Sequence, residues 1–81
     1  MPTILRYSAM RFQIYVDDHE PPHVHVKLPG GRVTVFLVER SRTVYVRRVR
    51  GPLRDHDLAH ISAIVEEHFD TLLTAWNKIH R

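Results

Sequence analysis

The stretch DDHEPPHVHV, Asp17 to Val26, holds three histidines, three carboxylates and two prolines. Imidazole is the side chain whose ordinary pKa lies nearest neutrality. Beside carboxylates it can move protons, bind a metal ion or brace its neighbours by hydrogen bonds. His23 and His25 stand two apart, with Asp18, His19 and Glu20 just before them. One chemistry open to this set is metal-free acid–base work on RNA. One imidazole takes the proton of a 2′-hydroxyl, the other protonates the leaving oxygen, and Lys27 or an arginine holds the phosphate. A second is metal binding, with His23 and His25 as neutral imidazole ligands and Asp18 or His19 completing the shell. An H-x-H pair is a weak signal for this, and the spacing assigns no metal ligand. A third is structural: His19 and His23 hydrogen-bond backbone groups of a proline-bent loop.

The elements that must position these residues are read from periodicity. In HVHVKL, Val24, Val26 and Leu28 share one face of a strand, so His23, His25 and Lys27 share the other and are expected to point off the core. In RFQIYV, Phe12, Ile14 and Val16 alternate with Arg11, Gln13 and Tyr15, which would lie on the same polar face as the histidines. Pro21 and Pro22 stiffen the loop between the two strands by fixing two φ angles. Gly30-Gly31 predicts a hairpin turn, and RVTVFLV and TVYVRRVR supply further strands, the second with its alternation blurred at Arg47-Arg48. TILR before a Ser8-Ala9 turn can add a short one. After Gly51-Pro52, Asp55 is the expected N-cap of a helix. Leu58, Ile61, Val65, Phe69, Leu72, Trp76 and Ile79 then recur at steps of three and four, forming one apolar stripe. A single helix over residues 56–80 would run about 37 Å, too long for a domain this small. A kink or break is therefore expected near His68–Asp70, with Asp70 able to cap the second part. The expectation is an α+β fold, a single domain over residues 1–81. About four antiparallel strands carry one kinked or two C-terminal helices on their apolar face.

Eighty-one residues without cysteine exclude thiolate metal sites and a disulfide framework. The absence of a long apolar run predicts no membrane partner and a cytoplasmic location. The net charge of +3 is unevenly spread. Between residues 27 and 54, Lys27, Arg32, Arg40, Arg42, Arg47, Arg48, Arg50 and Arg54 face only Glu39. Such a cationic centre attracts nucleic acid or an acidic protein, with Lys27, Arg47, Arg48 and Arg50 the candidates to hold phosphate. A non-enzymatic, arginine-rich binding module is thus a second reading, and a metal-dependent hydrolase a third. An exposed sheet edge would also permit strand pairing with a second copy. His56 and His60, four apart on a helix, are expected to be solvent-exposed.

MPTI at the start, DHEPPHVH at Asp18–His25 and LLTAW at Leu72–Trp76 resemble the small bacterial family DUF4160, a domain of unknown function. The resemblance implies the toxin of a two-gene toxin–antitoxin module, with a neighbouring DUF2442-type antitoxin as its protein partner. By that likeness Asp18, His19, Pro21, Pro22, His23 and His25 are the functional candidates. The sequence departs from the pattern in VERSRTVYVRRVRG, which is more arginine-rich than the stretch expected there.

Overall fold

The computed structural model describes residues 3–80. Five strands, β1 (Thr3–Tyr7), β2 (Met10–Gln13), β3 (His23–Leu28), β4 (Gly31–Val38) and β5 (Thr43–Arg50), form one antiparallel sheet in sequential order. The short opening segment is therefore a full member of the sheet. The β3–β4 turn is Pro29-Gly30, one residue earlier than expected: Leu28 pairs with Gly31 and Lys27 with Arg32. Proline followed by Gly30 at φ 87 suits a type II turn, whose third residue needs a positive φ. Gly31 instead starts the strand, where a Cβ would run into the Arg50 carbonyl and the Leu53 side chain.

Two strands depart from simple alternation. β2 stops at Gln13 because Asp18 closes a turn on Tyr15: the Asp18 N–H donates to the Tyr15 carbonyl (3.2 Å), and the Tyr15 N–H donates to the Asp18 carboxylate (3.1 Å). Val16, expected beside Phe12 and Ile14, is instead a central residue of this turn and is 73% exposed. In β5, Thr34 faces Arg48 while Val35 faces Val46, so Arg47 is the extra residue of a bulge. That bulge accounts for the blurred pattern at Arg47-Arg48.

The apolar stripe divides into α1 (Asp55–Glu67) and α2 (Phe69–His80), separated at His68, whose φ of −106 and ψ of 24 leave the helical range. The expected break is present. The N-cap of α1, however, is Arg54 rather than Asp55: the Asp57 carboxylate reaches back to accept the Arg54 N–H at 3.0 Å. Asp70 lies in the first turn of α2 and accepts from Arg42 Nη1 at 2.6 Å, tying the β4–β5 turn to the helix junction. Phe12, Ile14, Val24, Val26, Val33, Val35 and Leu37 from the sheet region pack with Ile61, Val65, Leu72 and Trp76 from the helices. All are essentially inaccessible, and burial of each large apolar side chain contributes about 1.5–3 kcal/mol. Among the described residues, no helix is long and apolar enough to cross a membrane.

Candidate functional site

Directly opposed residues on neighbouring strands share a face, so the register places the polar side chains in rows. One row runs Arg11, Lys27, Arg32, Arg50 across β2, β3, β4 and β5; the next runs Gln13, His25, Thr34, Arg48. A third begins with His23 and continues through Phe36 and Tyr45. The helices cover the other face, where Val24, Val35 and Val46 align.

At one end of the second and third rows, the loop returns Asp18 to the histidines. His25 Nε2 lies 3.2 and 3.1 Å from the two Asp18 carboxylate oxygens, and His23 Nε2 lies 3.5 Å from Oδ2. Three ligand atoms, one each from Asp18, His23 and His25, all fall within 4.8 Å of one another. The other nitrogen of His23, Nδ1, is 2.9 Å from the Pro21 carbonyl. A carbonyl only accepts, so Nδ1 carries the proton and donates it, and in neutral His23 the lone pair is on Nε2, facing Asp18. Pro22 anchors the same loop: it is buried, and its carbonyl accepts the Leu37 N–H of β4 at 2.9 Å.

The two histidines share a face, as alternation requires, with ring centroids 5.0 Å apart. Their surroundings differ. His25 is half-buried, with Tyr15 stacked on it at 4.3 Å. Tyr15 is held in turn by donating to Gln13 Oε1 at 3.4 Å, and Gln13 Nε2 donates to Thr3 at 3.2 Å. His23 does not point off the core into solvent. It is 9% exposed, wedged between Phe36 at 5.3 Å and Trp76 of α2 at 5.1 Å. The expectation of two outward-facing rings fails for His23 because Trp76 of α2 packs against its ring, and alternation within one strand carries no information about that. His19 and Glu20 are exposed in the loop and outside the trio.

Beside the trio opens a cleft of about 280 Å³ lined by Tyr15, His25, Lys27, Arg32, Thr34, Arg48 and Arg50, among others. A second hollow of similar volume next to it adds Arg47 and Phe36 around the same His25 and Arg48. Lys27, Arg48 and Arg50 line the cleft with His25 and Arg47 lines the hollow beside it, whereas His23 lines neither. Three lining residues, Tyr15, Arg32 and Thr34, were not among the sequence candidates. Arg32 was the readable one, since a turn at Pro29-Gly30 sets it opposite Lys27. Among the described residues, Arg11, Lys27, Arg32 and Arg50 form no ion pair with a carboxylate. Like charges opposed across strands are destabilising, so an unneutralised row of four is a surface suited to an anion. His56 and His60 are exposed on α1 as expected.

Compared with known proteins, the chain matches the family model described as "Domain of unknown function (DUF4160)" over residues 10–77. No curated protein and no solved structure matches it.

Proposed function

This chain belongs to the DUF4160 family, and from that premise we propose that it acts on RNA as the toxin of a two-gene toxin–antitoxin module. The supporting observation is that His25 belongs to two structures at once: the Asp18–His23–His25 trio and the cationic cleft. A phosphodiester seated on Lys27, Arg32, Arg48 and Arg50 lies beside a group able to take or give a proton. In the reaction the 2′-oxygen bonds to its own phosphorus and the bond to the 5′-oxygen breaks. The hydroxyl proton passes to a base at the trio, and a proton is delivered to the leaving oxygen. The antitoxin, by the family likeness the product of the adjacent gene, acts by covering this cationic face.

The rival function is a binding module that holds acidic partners and performs no chemistry. Expression of the chain with and without the adjacent gene, with growth and RNA integrity followed, separates the two. Growth arrest with RNA cleavage, relieved by the neighbour and abolished in His25→Ala and in Arg48→Glu, is the expected result. Arrest that survives His25→Ala but not Arg48→Glu selects the binding module. If the chain expressed alone causes no arrest, the toxin reading is lost.

A further inference from the structure

We propose that Asp18, His23 and His25 hold a single divalent transition-metal ion of the zinc class, with open positions facing the cationic cleft. The inference rests on the RNA reading of the site and names the cofactor that reading lacks. Two imidazole nitrogens and one carboxylate oxygen are the donor set preferred by zinc, iron(II) and their neighbours over magnesium or calcium. Three protein ligands, rather than four, are the mark of sites that bind a water or substrate in addition.

The geometry fits such an ion. A cation about 2.0–2.1 Å from each donor sets tetrahedral ligand atoms roughly 3.3 Å apart. Two of the three separations, 3.1 Å for His25 Nε2 to Asp18 Oδ2 and 3.5 Å for His23 Nε2 to the same oxygen, bracket that value, and all three donor atoms lie within 4.8 Å of one another. The surrounding bonds are those that prepare ligands. A metal-bound histidine donates its other ring N–H to a carbonyl or carboxylate, which fixes its tautomer. His23 does this to Pro21 at 2.9 Å, leaving its unprotonated Nε2 aimed at the common point. Ligating carboxylates are themselves hydrogen-bonded, and Asp18 accepts the Tyr15 N–H.

The placement of His23 separates this arrangement from a pair of acid–base histidines. Two such rings must both reach the substrate. His23 is walled in by Trp76 and Phe36 and lines neither hollow, so it serves the site only through what its Nε2 touches. An imidazole that is nine-tenths buried, with one nitrogen committed to a carbonyl and the other facing a carboxylate oxygen, is arranged as a ligand. The ion would separate His23 Nε2 from Asp18 Oδ2, which otherwise present lone pair to lone pair at 3.5 Å.

The test is titration of the untagged, chelator-stripped chain with zinc and with cobalt(II), read by calorimetry and by the visible absorption of bound cobalt. One ion per chain is expected, with a rise in melting temperature that a chelator reverses. Asp18→Asn and His25→Ala should each weaken binding by about 100-fold or more, and His56→Ala on α1 should leave it unchanged. His23→Gln belongs in the series, with circular dichroism to confirm its fold. The two less buried positions carry the test if that variant does not fold. Absence of cobalt or zinc binding overturns the proposal, as does binding retained in Asp18→Asn and His25→Ala. RNA cleavage that persists in ion-free protein also overturns it while leaving the RNA reading standing. Stoichiometric, ligand-dependent metal binding without any action on RNA upholds the metal site and sinks the RNA reading instead.

Discussion

His23 and His25 are neighbours on one face with opposite burdens. His23 fills space between Trp76 and Phe36 and satisfies the Pro21 carbonyl, whereas His25 is half-exposed and gives its Nε2 to Asp18. Truncation therefore has unequal consequences. His23→Ala opens a void beside Trp76 and leaves the Pro21 carbonyl without this donor, a cost of about 2–3 kcal/mol. His25→Ala should cost about 1 kcal/mol, chiefly the stacking with Tyr15. Urea unfolding of the two variants measures the difference. Equal, small losses would mean that His23 is not packed as described. The spacing H-x-H was enough to show that the rings share a face. It could not show that one of them is a packing residue, because the packing partner lies fifty-three positions away at Trp76.

At the scale of elements, the loop and the turns deliver side chains that the strands alone would scatter. Asp18 reaches the histidines because it closes the turn on Tyr15, and the cation row exists because the Pro29-Gly30 turn sets Lys27 opposite Arg32. The helix junction is held from the sheet side by Arg42, which bonds Asp70 and lies over the Phe69 ring at 5.2 Å. The hydrogen bond from Arg42 holds the Asp70 carboxyl below the ordinary carboxylate range. A group with a lowered pKa in the folded chain contributes stability above its unfolded pKa, and that contribution is lost as pH falls through the folded value. Asp70→Asn should therefore lower the melting temperature slightly at neutral pH and make no difference in strong acid. Both partners are exposed, at 59% and 74%, so salt should shrink the effect. Thermal melts of parent and variant across pH and salt test this. A difference that persists unchanged at low pH would show that the ion pair is not its source.

For the whole molecule, the division of labour is between a face packed against two helices and a face left to cations. Arg11, Lys27, Arg32 and Arg50 lie in one row, with Arg48 in the next. A single-stranded RNA that neutralises four phosphates on that row releases bound counterions. The logarithm of its binding constant should then fall against the logarithm of salt concentration with a slope of about −3. Reversing Arg48 and Arg50 together should flatten the slope and weaken binding to all sequences alike. Fluorescence anisotropy over a range of salt concentrations gives both numbers, and a slope near zero in the parent would remove the phosphate surface from consideration.

The linear sequence by itself determined what depends on near neighbours. Alternation assigned the histidines, Lys27 and the valines to opposite faces, and the three-and-four spacing laid out one apolar stripe with its break near His68. The motif residues pointed to the family. Each of these follows from backbone periods of two and 3.6 residues, which act within a few positions. Tertiary structure decided the rest. It moved the hairpin turn by one residue, placed the bulge at Arg47, aligned four cations across four strands, buried His23 under Trp76 and brought Asp18 between two imidazoles. Those outcomes depend on strand register and on the docking of a helix from the far end of the chain. Side chains distant in sequence set both, by filling one core together, and no local period encodes them.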